Sequence, residues 1–244
     1  EVNIVDINRN GVLKKVIGDV PYLNGGLFEE DDDDRNPEIA IPDECIETIL
    51  NDLFNRFNFT VTESTPLDIE VAVDPEMLGK VFEELVTGRH ETGSYYTPKT
   101  VVSFMCREAI KGYLGGYEEL VDEHDTRNIS ISEARQLLRR LSQIMVCDPA
   151  CGSGAYLVGM LHELHELYRL LDTRADEATA RDNYQRKLAV IQNNLYGVDI
   201  DSFAVNIARL RLWLSLAVEY GGDRPEPLPN LDFKIEVGDS LTAP

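Results

Sequence analysis

The residues of this chain best suited to chemistry are three aspartates beside small or apolar neighbours. They are Asp148 in Asp148-Pro149-Ala150-Cys151-Gly152-Ser153-Gly154, Asp199 in Tyr196-Gly197-Val198-Asp199-Ile200-Asp201, and Asp239 in Gly238-Asp239-Ser240-Leu241. Each follows a short apolar run, so each stands at the end of an expected strand. Gly152 and Gly154 let the backbone turn sharply and approach a ligand, and a helix starting near Ala155 offers N–H groups to an anion. A ligand with an amino-acid tail fits such a turn. A dinucleotide fingerprint would need its third glycine at Leu157, and a P-loop would need Gly-Lys-Ser/Thr, which does not follow.

Upstream, Gly93-Ser94-Tyr95-Tyr96-Thr97-Pro98 joins an aromatic pair to a helix start. Thr97 reads as the N-cap and Pro98 as the first helical residue. Val101, Val102, Phe104, Met105 and Ala109 are the expected buried face of that helix, which should end near Gly112. In order along the chain, these four segments resemble the adenine-N6 DNA methyltransferases of restriction-modification and related phage-defence systems, enzymes that use S-adenosylmethionine.

The resemblance implies roles for individual residues. Tyr95, Thr97 and Pro98 would close over the methionine end of the cofactor. Asp148, Pro149, Ala150, Cys151, Gly152 and Gly154 would form the cofactor loop, with Asp148 binding the methionine ammonium directly or through water. Asp199 would accept the ribose hydroxyls and Ile200 would pack on the adenine. Asp239 would accept a hydrogen bond from the adenine amino group, with the Ser240 backbone nearby. Asp201 reads as the cap of the following helix.

The same resemblance implies an Asn/Asp/Ser-Pro-Pro-Tyr/Phe tetrapeptide that holds the flipped-out base. None occurs here, so no catalytic residue is expected within this chain, and the chain alone is expected not to methylate. The tetrapeptide and a DNA-recognition domain would lie downstream, and double-stranded DNA would be held mostly by regions outside these residues. A cytosine-N4 or protein-amide methyltransferase, or a non-catalytic module with the same fold, remains an alternative on this sequence.

The elements that must position these residues follow from hydrophobic periodicity. Strands are expected at 143–147, 195–198 and 233–237, alternating with helices at 155–171 and 203–218, which is the pattern of an α/β fold with a parallel sheet. The expected architecture is a Rossmann-like methyltransferase sheet over residues 93–244, truncated because an open sheet of this kind has about five to seven strands. Residues 1–92 are expected to be mainly helical. Ile46, Ile49, Leu50, Leu53, Phe54 and Phe57 suggest one amphipathic helix, and Met77, Leu78, Val81, Phe82 and Leu85 another behind Asp74-Pro75. The segments at 23–29 and 78–85 also resemble the region preceding the core in large single-chain restriction-modification enzymes. Residues 113–130 read as a connection and 131–141 as a helix. Asp148 and Asp199 stand 51 positions apart, more than a compact βαβ unit needs, which leaves 172–187 as a polar and helical-looking insert.

Metal chemistry lacks support. His162-Glu163-Leu164-His165 falls short of His-Glu-x-x-His and reads as an exposed helix face, while Cys147 and Cys151 lack a second pair. The acidic run at 29–34 reads as a solvated loop. With 44 acidic against 23 basic residues and a formal charge of -21, the chain carries no electrostatic footprint for a DNA backbone. Four scattered cysteines, no signal peptide and no long apolar run lead to the expectation of a cytoplasmic protein.

Overall fold

A computed structural model describes residues 35, 40–54, 58–59, 72–73, 97–175, 182–219, 229–231 and 233–242. The expected elements at 23–29 and 74–85, and the Tyr95-Tyr96 pair, lie outside the described residues. In the N-terminal part, α1 (Asp43–Thr48) runs into a π-helical stretch, Ile49–Phe54, while β1 (Asn58–Phe59) pairs in parallel with β2 (Ala72–Val73). Ile46, Ile49 and Leu50 are all exposed. The expected helix is thus present there, but these side chains do not form a buried stripe.

The main body begins with α2 (Lys99–Leu114), which stops at Gly115, where a φ of 67° lets the chain turn out of the helix. Its buried row is Val102, Cys106, Ile110 and Leu114. Val101, Phe104 and Met105 are exposed, and so is Ala109, which corrects four of the five residues assigned to its inner face. Apolar residues surround this helix, so their spacing does not select a face. The selection comes from α5 (Ala155–Arg174): a Cβ on Gly159 would collide with Val102, and Glu163 accepts hydrogen bonds from Ser103 (2.5 Å) and Arg107 (2.9 Å). Glu163 is itself buried, so the 162–165 face is not the exposed one expected.

The supposed connection at 113–130 contains a short helix, α3 (Glu118–Glu123), flanked by Tyr117 and His124 with φ of 69° and 55°. The helix α4 (Ile131–Gln143) begins at a reciprocal capping box between Ser130 and Glu133 and buries Ala134, Leu137 and Leu141. Because α4 extends to Gln143, the following strand starts late: β3 spans Val146–Asp148. Asn194 sets that junction by donating from Nδ2 to the carbonyls of Leu141 (3.1 Å) and Ile144 (2.7 Å).

After α5 comes α6 (Asn183–Asn193), capped by Asp182, then β4 (Leu195–Asp199), α7 (Ser202–Ala217) and β5 (Ile235–Val237). The insert at 172–187, expected to look helical, begins in the last turn of α5 and runs into an additional helix, α6. It is tied to α5 by a buried ion pair between Arg186 and Asp172 at 2.8 Å, and it returns Tyr184, Val190 and Ile191 to the core.

The strands form a three-stranded parallel sheet in the order β3-β4-β5. Cys147 lies opposite Tyr196, and Val198 opposite Glu236. Side chains alternate across a sheet. Leu195 and Ile235 are buried, whereas Cys147, Tyr196, Val198 and Glu236 are not. The core therefore lies on one side, built around Leu157, Leu161, Leu164, Leu167 and Leu171 of α5 with residues of α2, α4 and α7. Full burial of each leucine contributes about 1.5–3 kcal/mol before entropy is counted. The fold is α/β and helix-rich, with all three strand ends that carry Asp148, Asp199 and the Asp239 turn at one edge of a parallel sheet.

Candidate functional site

Parallel strands leave their carboxyl ends side by side, and hydrogen bonds join the loops that follow them. The backbone N–H of Cys151 donates to the carbonyl of Val198 at 2.9 Å. The N–H of Gly152 donates to Asp199 Oδ2 at 2.7 Å. From the third strand end, the Gly238 N–H donates to the Asp199 carbonyl at 2.9 Å, and the Ser240 hydroxyl donates to the Pro149 carbonyl at 2.7 Å. The segments of Asp148, Asp199 and Asp239 thus form one connected site. The Ser240 contribution is its side chain, where only its backbone was expected.

Within that site the turn after β3 is tight. Gly152 and Gly154 have φ of 52° and 83°, the left-handed region that disfavours other residues, and the Gly154 N–H closes the turn onto the Cys151 carbonyl at 2.8 Å. Gly154 also abuts α7: a Cβ there would lie 2.9 Å from the Ala208 Cβ. Gly197 on β4 makes room for Cys151 and Leu157 in the same way. The long helix α5 then starts without a side-chain cap, leaving first-turn N–H groups for an external acceptor.

Asp148 has the most unusual environment. Its Oδ1 accepts from the Ala150 N–H at 3.2 Å, whereas Oδ2 is buried and has no partner. Burial pushes its carboxyl above the usual carboxylate range, opposed by the Ala150 N–H and helped by the charge of Asp199. A buried carboxylate oxygen without a donor favours an incoming cation. Asp199, half-buried, accepts from Gly152 on one oxygen and from the Asp201 N–H (3.0 Å) on the other, and each oxygen retains a further lone pair. Asp201 caps α7 as expected, accepting from Phe203 and Ala204.

Ile200 is 76 % exposed beside Asp199, an apolar surface open to a flat ring. Asp239 is exposed, and the Thr242 hydroxyl with the Leu241 N–H holds its carboxyl below the usual range. Pro98 rather than Thr97 is the N-cap of α2, its carbonyl accepting from Val101 and Val102, and Thr97 is half-buried. Tyr95 lies outside the described residues. Pro149 and Ala150 are exposed, and Cys151 is buried.

Burial lifts the Cys151 thiol to about 12, with Asp148 and Asp199 adding to the rise. Cys106 is raised to about 12 by its burial and by Glu163 and Asp148. Neither thiol is ionised near neutral pH, which argues against a cysteine nucleophile here. Among the described residues no set of His, Cys, Asp or Glu could hold a metal ion, and no helix is long and apolar enough to cross a membrane. The arrangement as a whole suits a ligand that carries a cation and an anion at one end and a hydroxyl-bearing ring system at the other.

Two arginines of α7 complete the support and were missed in the sequence. Arg209 donates to the Ile235 carbonyl from Nε (3.0 Å) and Nη2 (2.6 Å), and Arg211 donates from Nη1 to the carbonyl (2.8 Å) and hydroxyl (3.2 Å) of Ser153. Their signal was available: two guanidinium groups two positions apart inside the apolar run 203–218 require buried acceptors.

Residues 122–222 match the family model of the MmeI DNA-methyltransferase domain. A protein of Methanocaldococcus jannaschii named as a type II restriction enzyme and methyltransferase is 35% identical over 251 residues, covering 91% of this chain and 21% of the relative. DNA methyltransferase A of Bacillus subtilis is 23% identical over 214 residues, 87% of this chain and 22% of the relative. The adenine-specific methyltransferase PglX of Streptomyces coelicolor is 31% identical over 101 residues, 41% of this chain and 8% of the relative. The chain spans about a fifth of the length of the first two. Among solved structures, the type IIL restriction-modification enzyme MmeI in complex with DNA aligns with a TM-score of 0.48 at 20% identity, over 70% of this chain and 23% of that one. This chain is therefore similar to DNA methyltransferases of restriction-modification systems, and it matches the MmeI methyltransferase domain over residues 122–222.

Proposed function

We propose that residues 93–244 are the S-adenosylmethionine-binding core of a DNA methyltransferase that modifies adenine N6 in a restriction-modification or related defence system, and that residues 1–92 form a separate lead-in region. The observation that carries the reading is the buried, partnerless Oδ2 of Asp148 beside an uncapped helix start. One end of S-adenosylmethionine presents an ammonium and a carboxylate, the two charges that those groups complement. Asp199 and Ile200 suit the ribose and the adenine, and Asp239 the exocyclic amine. In this reading the parallel strands β3, β4 and β5 are part of a Rossmann-like sheet.

S-adenosylmethionine supplies the transferable methyl group on a sulfonium. The residues of this chain bind and orient it. Transfer needs a flipped base held by an Asn/Asp/Ser-Pro-Pro-Tyr/Phe element, which residues 1–244 do not contain, so no residue here is assigned to the chemical step. The charge of -21 supports a reading in which most of the DNA contact is made by regions outside these residues. Adenine as the target base is supported by the similarity to PglX over 41% of the chain.

Calorimetric titration with S-adenosylmethionine tests the proposal, with Asp199→Ala beside the native protein. Saturable binding weakened by about 1–3 kcal/mol in the variant is expected for a lost charge-assisted hydrogen bond. Native protein that shows no binding overturns the reading.

A further inference from the structure

Arg211 sits in the interior of α7 at 3% exposure, among residues such as Leu212, Trp213 and Leu216. Its Nη1 reaches 58 positions back along the chain to the carbonyl and hydroxyl of Ser153, a residue that is itself 2% exposed. Ser153 is the single residue between Gly152 and Gly154, both in the left-handed region. Glycines on either side leave that stretch of backbone few steric limits of its own, so its shape rests on contacts: Val198 and Asp199 hold Cys151 and Gly152, and Arg211 holds Ser153. The same face of α7 meets the loop one turn earlier, where Ala208 fills the space next to Gly154. Arg209, which lies two positions from Arg211, faces a different target, the Ile235 carbonyl on β5.

We propose that Arg211 is a positioning residue for the amino-acid end of the cofactor, an assignment that rests on the S-adenosylmethionine reading above. By holding the Ser153 carbonyl against α7, Arg211 keeps the turn in the one shape that sets the start of α5 beside Asp148. Its charge also stands behind the uncapped N-terminus of α5 and adds to the field that draws a carboxylate there. In this assignment Arg211 acts through Ser153 rather than by touching the ligand. The adenosine end of the ligand is met by Asp199, Ile200 and Asp239, and it feels this contact only indirectly, through the Gly152 N–H that Asp199 accepts.

The test compares two probes, S-adenosylmethionine and adenosine, on native protein and on Arg211→Met, Arg211→Lys and Arg209→Met. Arg211→Met is expected to bind S-adenosylmethionine at least tenfold more weakly while adenosine affinity stays within about threefold, since about 1.4 kcal/mol corresponds to a factor of ten. Arg211→Lys is expected to recover part of the loss, because an ammonium can still reach one acceptor. If Arg211→Met does not fold, Arg211→Lys carries the comparison and must still show the larger loss for S-adenosylmethionine. Arg209→Met is expected to lower both affinities or mainly that for adenosine. Equal losses for both probes in the Arg211 variants, or no loss, overturn the assignment and leave the cofactor reading standing. Native protein that binds neither probe overturns both.

Discussion

The N–H of Gly152 and the carboxylate of Asp199 share a hydrogen bond of 2.7 Å across two adjacent strand ends. One carboxylate thereby shapes the turn after β3 while keeping lone pairs for a ligand at the end of β4. The two ends of an elongated ligand would be sensed by a single side chain.

Asp199→Ala is therefore expected to act at a distance as well as locally. Besides weakening adenosine and S-adenosylmethionine by about 1–3 kcal/mol, it should free the Gly152 amide, and hydrogen exchange at that amide should accelerate in the ligand-free protein. Unchanged exchange at Gly152 would show that the contact does not shape the turn.

Asp148 is expected to cost the fold stability. Burial raises its carboxyl pKa above the unfolded value, so folding favours the protonated form, and a penalty appears as pH rises from the ordinary carboxylate range through the raised value. Asp148→Asn removes the penalty. Its melting temperature should exceed that of the native protein at neutral pH, and the advantage should vanish in acid. Binding runs the other way: native affinity for S-adenosylmethionine should fall as Asp148 gains its proton, whereas the variant should bind weakly with little pH dependence. Thermal melts and titrations across the acid range check both signs.

Glycine substitutions should separate room from conformation. Gly154→Ala combines a φ of 83° with a Cβ 2.9 Å from Ala208, so a loss of about 2 kcal/mol is expected in urea unfolding. Gly112 lies inside α2 with nothing near its absent Cβ, so Gly112→Ala should stabilise by about 0.5–1 kcal/mol.

The link between α2 and α5 can be measured by a double-mutant cycle on Arg107 and Glu163, which are 2.9 Å apart with side-chain exposures of 31% and 11%. A coupling of about 1 kcal/mol is expected for a partly screened pair. Glu163→Ala alone should cost more than Arg107→Ala, because it also leaves the Ser103 hydroxyl without its acceptor.

The sheet and its crossover helices were legible because glycine, aspartate and apolar runs mark strand ends and helix starts locally. Asp201 as a cap and a helix beginning at Ile131 follow from the same short-range chemistry. The inner face of α2 was not legible. Val101, Phe104 and Met105 are as apolar as Val102, and the choice among them is made by Gly159 and Glu163, more than fifty positions away. The same holds for the hydroxyl of Ser240 and the guanidinium of Arg211, whose partners are fixed by tertiary packing. Residues 172–187 read as an insert because their acids and bases suggest solvent, whereas Asp172 and Arg186 satisfy each other inside.

The contacts that shape the turn after β3 connect residues 47, 58 and 91 positions apart. Loops closed over such separations form late, since chain entropy must be overcome before the contacts stabilise anything. During synthesis, the turn at Gly152 emerges well before Arg211 and Ser240. The nascent chain thus passes through an interval in which α5 can already fold while its ligand turn has no defined shape, and a co-translational binding assay should register no cofactor capture until Ser240 has cleared the ribosome.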